Sequence, residues 1–275
     1  MVRLQTVLSL LSGILLVMLS TTVLLSQNKY YSTTGVISHR GAWKEFNNPE
    51  NSRASFNQAL ALGCKGTEID VWMSSDSVLV VNHDPHYKGL LIEKTTYKEL
   101  KKHKLSNGET LSILSDYINK IRKQDRTTLI IDVKSSKISP ANTKILARKC
   151  VETVRKYKTE DKVEYLFFDY EAGKYLITLE PTAKVSLLGW KTISSAELNL
   201  TAAQVKADGF HGLDLNRLAY LENPKFIEEA KILGLVLNVW TVNEREDMQW
   251  FIERGFHYIT TDYPQLLQSV IASNL

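Results

Sequence analysis

At 275 residues, with 44% hydrophobic and 23% charged residues, the chain has the make-up of a globular protein with room for a substantial core, in one large domain or two smaller ones. A net charge of +4 without any run of five Lys or Arg argues against a nucleic-acid partner, since the basic residues are spread as on solvated helix faces. Cys64 and Cys150 would permit one disulfide in an oxidising compartment but make no disulfide framework, and two buried free thiols are the better reading.

The chain opens with Arg3 ahead of an uncharged, Leu-rich stretch from Leu4 to Leu25. Its length suits a spanning helix of about twenty residues more than a short secretory h-region. The interspersed Ser and Thr, with small residues at Ser20 to Thr22, suit a cleaved leader, although no Ala-x-Ala pattern occurs. Residues 1–26 are therefore expected to be a signal peptide or membrane anchor, 27–34 a polar linker, and 35–275 a folded domain exported to the periplasmic or extracellular face.

Beyond the linker, short β-branched or apolar runs alternate with longer amphipathic ones, the βα rhythm. Strands are predicted over 36–38, 66–71, 128–133, 164–168, 184–188, 209–214, 236–240 and 258–260, the eight that close a parallel barrel. Helices are predicted between them over 52–62, 113–123, 141–157, 220–233 and 244–254 from the spacing of apolar residues. Gly63, Gly234 and Gly255 stand where left-handed C-caps belong, each shortly before a strand. A further extended run, 78–82, precedes an interruption from Asp84 to about Thr110 that is too long for an ordinary βα loop and reads as a small insertion over the barrel mouth. The predicted fold is an α/β, (β/α)8 TIM-type barrel with a small insertion after the second strand.

Barrel chemistry gathers at the C-terminal ends of the strands. Glu68 and Asp70 sit two apart in a strand and share a face, where two like charges call for a cation between them. With Asp132 as a third oxygen donor, they suit one hard divalent cation, Mg²⁺ or Ca²⁺. Lys134 shares the face of Asp132 and can meet a phosphate oxygen, or simply pair with that carboxylate. His39 and His83 suit the two proton transfers of phosphodiester hydrolysis, one taking and one giving. Arg40 offers a fork to phosphate, and Gly41 lets the backbone approach. Asp169 and Asp214 also fall at strand ends, whereas His86, His103, His211 and His257 read as structural.

His39-Arg40-Gly41, Pro49-Glu50-Asn51-Ser52, Gly66-Thr67-Glu68-Ile69-Asp70, Val80-Val81-Asn82-His83-Asp84, Asn238-Val239-Trp240-Thr241-Val242-Asn243 and Ile259-Thr260-Thr261-Asp262-Tyr263-Pro264, in this order, resemble the glycerophosphodiester phosphodiesterase family. The resemblance implies a (β/α)8 barrel that cleaves a small-molecule glycerophosphodiester to glycerol 3-phosphate and an alcohol. It implies His39 and His83 as the acid/base pair, Glu68 and Asp70 as metal ligands, Arg40 as a phosphate contact, Trp240 as a pocket-lining aromatic and Glu50 as an orienting residue. The family's Glu-x-Lys reads Asp132-Val133-Lys134 here, one methylene shorter. Two other readings stay open: a lysophospholipase D-like enzyme whose Leu90, Leu91 and Ile92 touch acyl chains, and a non-catalytic barrel that binds phosphorylated alcohols. The oligomeric state and the division of labour between the histidines stay open as well.

Overall fold

The computed structural model describes residues 34–191 and 200–273, so the leader expected over residues 1–26 lies outside the described residues. In chain order the strands are β1 (Gly35–Ser38), β2 (Gly66–Met73), β3 (Leu79–Val81), β4 (His86–Tyr87), β5 (Leu90–Leu91), β6 (Thr128–Val133), β7 (Val163–Phe167), β8 (Lys184–Gly189), β9 (Gly212–Asn216), β10 (Val236–Trp240) and β11 (Tyr258–Thr261). Eight of them run parallel in the order β1-β11-β10-β9-β8-β7-β6-β2, and β1 pairs with β2 through Ile37 and Gly66 to close the barrel. Among the described residues ten α-helices accompany the strands: α1 (Arg53–Ala61), α2 (Tyr97–Leu100), α3 (Leu114–Ile121), α4 (Pro140–Tyr157), α5 (Tyr170–Leu179), α6 (Ala202–Ala207), α7 (Arg217–Glu222), α8 (Lys225–Ile232), α9 (Arg245–Glu253) and α10 (Pro264–Ala272). None of these helices is long and apolar enough to cross a membrane.

The strands are buried on both faces, which is why they read as near-continuous apolar runs. Ile131, Val133, Leu187, Leu213 and Val239 pack outward in the main core with Phe56, Leu146 and Phe251 from the helices. Their neighbours Ile130 and Leu188, with Ile37 and Leu166, form a separate small cluster inside the barrel. This alternation places every second residue of a strand in the lumen, so two residues beyond an inward Ile or Leu the chain again faces the axis.

Gly63, Gly234 and Gly255 close helices at φ +66°, +67° and +63°, the left-handed caps expected of them. The helix expected over 220–233 is two helices, α7 and α8, because Pro224 lacks an N–H and excludes the residue before it from helical geometry. The strand expected over 209–214 starts later, at Gly212, because Gly209 at φ +89° ends the turn after α6. Asp169 is the N-cap of α5, its carboxylate accepting the Ala172 N–H at 3.0 Å.

The insertion has a core of its own. β3 returns antiparallel along β2, and β4 and β5 form a hairpin turning at Lys88 and Gly89. Trp72, Val80, Tyr87, Ile92, Leu100 and Leu111 bury one another there, with Leu90 packed against them. Two acids tie the insertion to the barrel rim: Glu93 accepts the Lys137 N–H at 2.7 Å, and Glu109 accepts the Arg53 and Ala54 N–H groups at the start of α1 at 3.0 and 3.1 Å. Cys64 and Cys150 are buried free thiols.

Candidate active site

A cavity of about 320 Å³ opens at the C-terminal ends of the barrel strands. The lumen-facing parity accounts for its walls: His39 lies two residues beyond Ile37, Asp132 and Lys134 follow Ile130, Phe168 follows Leu166, and Trp190 follows Leu188. His39, Arg40, Glu68, Asp70, His83, Asp132, Lys134 and Trp240 all line it, so the structure brings these sequence-predicted residues together. Glu50 stands just outside, with Oε2 2.6 Å from Arg40 Nη1.

The turn after β1 is built around backbone that side chains resist. Arg40 sits at φ +55° and Gly41 at +81°, and a Cβ on Gly41 would lie 2.5 Å from Ser55 Oγ. The turn aims the Arg40 N–H at Glu68 Oε2, 2.8 Å away, and brings Arg40 Nε to 3.6 Å from Asp70 Oδ2. Asn51, also left-handed at φ +54°, clamps Asp70 twice: its amide donates to Oδ2 at 2.6 Å, and its carbonyl oxygen accepts the Asp70 N–H at 3.1 Å.

Glu68, Asp70 and Asp132 are buried, with one oxygen from each lying within 4.8 Å of the others. Asp70 and Asp132 are register partners on β2 and β6, and Lys134 bridges them, its Nζ 2.5 Å from Asp70 Oδ1 and in hydrogen-bond contact with Asp132 Oδ2. Burial, then the charges of Asp70 and Asp132, push the Glu68 carboxyl well above its ordinary value. Burial likewise pushes Asp132 up to about 6 against the pull of Lys134. Burial acts in the same direction on Asp70, but Lys134 and Arg40 hold it well below the usual range. Burial opposes the Lys134 charge, yet Asp132 and Asp70 raise its pKa above that of a free lysine. Asp132 Oδ1 has no hydrogen-bond partner among the described residues. Three converging buried carboxylates, with Glu68 and Asp132 both pushed up and one Asp132 oxygen orphaned, fit a hard divalent cation.

The two histidines are held differently. His39 Nδ1 lies 2.7 Å from Oδ1 of Asp262, whose carboxylate is also approached by Trp43 Nε1 at 3.3 Å and Asn243 Nδ2 at 2.9 Å. His83 Nδ1 lies 2.9 Å from Oδ1 of Asp84, an acid that is 73% exposed. Burial lowers the pKa of His83, with Arg40 and Lys134 adding to the effect against Asp70.

Opposite the charged groups stands an aromatic wall. Trp190 and Trp240 meet edge to face at 4.5 Å between centroids, and Phe168 stacks on Trp190 at 6.2 Å. Trp240 is steadied by a 2.9 Å hydrogen bond from Nε1 to the Asp214 carbonyl. Asp214 lines the cavity floor, and its carboxyl is pushed well above the ordinary value by burial and then by Asp132. Asn51, Asp262, Phe168 and Trp190 were given no role from sequence. Alternation along β7, β8 and β11 points to the last three, whereas nothing local marks Asn51.

Two imidazoles, fixed cations and a carboxylate cage around one small cavity suit the cleavage of a phosphodiester, and the class is a barrel phosphodiesterase. A model of the Glycerophosphoryl diester phosphodiesterase family matches residues 39–266, and the chain belongs to that family. It is 28% identical over 251 residues to a glycerophosphodiester phosphodiesterase of Caldanaerobacter subterraneus subsp. tengcongensis, covering 86% of this chain and 98% of that protein. A crystal structure of a glycerophosphodiester phosphodiesterase from Parabacteroides distasonis superposes with a TM-score of 0.81 at 36% identity, over 88% of this chain and 98% of that one. An Oleispira antarctica phosphodiesterase, solved in complex with the product sn-glycerol-3-phosphate, shares the fold with a TM-score of 0.76 at 24% identity, over 88% and 99% of the two chains.

Proposed function

We propose that the protein hydrolyses glycerophosphodiesters to glycerol 3-phosphate and an alcohol, with His39 and His83 moving the protons. The observation that carries this reading is the meeting of both imidazoles with Lys134, Arg40 and the carboxylate cluster on one cavity. Glu68, Asp70 and Asp132 hold one Mg²⁺ or Ca²⁺, which when bound neutralises charge on the phosphate. Lys134 and Arg40, already fixed by carboxylates, add positive charge without reorganisation. One histidine removes the proton from an attacking hydroxyl, either water or the substrate's own glycerol hydroxyl, and the other protonates the departing alkoxide. The product bound by the Oleispira antarctica relative matches this chemistry.

A lysophospholipid substrate is disfavoured. Ile92 is fully buried in the insertion's own core, while Leu90 and Leu91 are half-buried, so only two of the three apolar side chains are left to meet an acyl chain. A cavity of about 320 Å³ is also at the small end of ligand pockets, which span roughly 300–1,000 Å³. We also propose that residues 4–25 direct the domain out of the cytoplasm. The chain enters β1 at Gly35, at the end of the barrel remote from His39.

Turnover of glycerophosphocholine, glycerophosphoethanolamine and lysophosphatidylcholine, with Mg²⁺ or Ca²⁺ restored after chelation, tests the reading. Cation-dependent release of glycerol 3-phosphate is expected, falling about 10²- to 10⁴-fold in His39→Ala and His83→Ala with the fold retained. Near wild-type rates in either variant sink the scheme, and preference for the lysophospholipid transfers it to the rival substrate.

A further inference from the structure

We infer that Asp262 is a positioning residue that fixes His39 as the tautomer protonated on Nδ1, leaving Nε2 as the proton acceptor at the cavity. The inference rests on the proposed role of His39 and adds which nitrogen acts and which of the two histidines accepts first.

Donors surround the Asp262 carboxylate on both oxygens. Asp262 Oδ2 faces Asn243 Nδ2 at 2.9 Å and Lys44 Nζ at 3.7 Å. Lysine can only donate. The Asn243 amide cannot turn round, because its Oδ1 already accepts the Asp262 N–H at 3.0 Å and the Thr261 hydroxyl at 3.1 Å. That hydroxyl must spend its proton on Asn243, since its oxygen accepts the Tyr263 N–H at 3.0 Å. Asp262 Oδ1 faces the indole N–H of Trp43 at 3.3 Å, another obligate donor, and His39 Nδ1 at 2.7 Å. His39 is the one neighbour able to choose between donating and accepting at this contact. With Asn243, Lys44 and Trp43 all turned toward it as donors, the Asp262 carboxylate is ionised and an acceptor only. His39 Nδ1 must therefore carry the proton.

Asp84 does not constrain His83 in this way. It is 73% exposed, against 10% for Asp262, and solvent can replace it. His39 thus begins the cycle with Nε2 unprotonated and backed by a buried anion that stabilises the imidazolium formed there. The same logic underlies the carboxylate of a Ser-His-Asp triad.

Asp262→Asn makes the inference testable, because the substituted amide has one acceptor and one donor to place. Its NH₂ would oppose the Asn243 donor at 2.9 Å, with Lys44 behind it, on one side, but only the longer Trp43 indole contact at 3.3 Å on the other, so it turns toward His39 and puts the proton on Nε2. The double variant Asp262→Asn with Asn243→Asp offers an acceptor on the far side. The new amide can then turn its NH₂ there and return its oxygen to His39.

Nitrogen-15 NMR of the imidazoles, with the His39 signals assigned by their loss in His39→Gln, reads the tautomer directly. Nδ1–H is expected in the wild type, Nε2–H in Asp262→Asn, and Nδ1–H again in the double variant. For glycerophosphocholine, kcat is expected to fall about 10²- to 10⁴-fold in Asp262→Asn, with KM changed less than threefold, and to recover at least tenfold in the double variant. A wild-type His39 protonated on Nε2 overturns the inference, and so does an Asp262→Asn enzyme with unaltered kcat. Should that variant fail to fold, the wild-type spectrum alone decides. A wild type that turns over no glycerophosphodiester refutes the proposed function, while the tautomer remains readable.

Discussion

The two halves of the cavity are built on opposite principles. On the side of β1, β2 and β6, each functional group is held by charge and hydrogen bonding: Arg40 by Glu50, Asp70 by Asn51 and Lys134, His39 by Asp262. On the side of β7, β8 and β10, Phe168, Trp190 and Trp240 hold one another by ring contacts, and Trp240 adds the hydrogen bond it donates to the Asp214 carbonyl. A buried charged network is all or nothing, since removing one member leaves its partner desolvated and unpaired. An aromatic wall loses area in proportion to what is removed. The charged half should therefore be brittle and tuned by pH and cations, the aromatic half graded and indifferent to both.

The largest effect is expected at Lys134. Lys134→Met keeps the stem but leaves Asp70 and Asp132, both buried, facing each other without their bridge. Loss of a buried partner of this kind costs roughly 3–5 kcal/mol. Denaturant unfolding in EDTA should show that loss, and saturating Mg²⁺ or Ca²⁺ should restore part of it, because a cation answers the same two carboxylates. Unchanged stability without metal would show that the network is not the brittle element.

How much of this was legible in the sequence follows the same divide. Strand ends and alternation were enough to gather His39, Glu68, Asp70, Asp132, Lys134 and Trp240 on one rim, because parity within a strand is a local property. The braces were not legible, because they are contacts between distant segments. Asp262 reaches His39 across 223 positions, and Asn51 reaches Asp70 only through a left-handed turn that its own residue type permits but does not require. The apolar run at 90–92 reads as one unit in sequence, yet Ile92 is buried beside Trp72 and Leu100 whereas Leu90 and Leu91 stay half-buried, a split that packing alone decides. The helix expected over 220–233 failed for a reason present in the sequence, the proline at 224, which outweighed the apolar periodicity around it.

A smaller effect should follow pH in the metal-free protein. A carboxyl whose pKa is higher in the folded than in the unfolded chain binds more protons when folded, so its contribution favours folding at low pH and is lost as pH rises. Asp132, raised from 3.8 to about 6, should make stability fall between about pH 4 and pH 6, with Glu68 acting in the same direction. Asp70, held low, acts in the opposite direction but only below about pH 4, where its protonation removes the pairing with Lys134. The fall should be on the order of 1–3 kcal/mol, since each pKa unit corresponds to about 1.4 kcal/mol. Urea midpoints at pH 4.5 and 6.5 should show it in EDTA and not with saturating divalent cation; a metal-free midpoint that rises across this interval contradicts the assignment.

The smallest effect should come from the aromatic half. Trp190 is 62% exposed, yet it packs on both Phe168 and Trp240 at the cavity mouth. Trp190→Ala removes two ring contacts of about 0.5–1.5 kcal/mol each while leaving the charged half and its cation untouched. KM for glycerophosphocholine should rise about 3- to 10-fold, with kcat, metal affinity and the pH dependence of stability unchanged. If kcat or metal affinity falls with KM, the two halves are coupled and the division between them is wrong. If nothing changes, the substrate never reaches the wall, and the charged half alone selects what is cleaved.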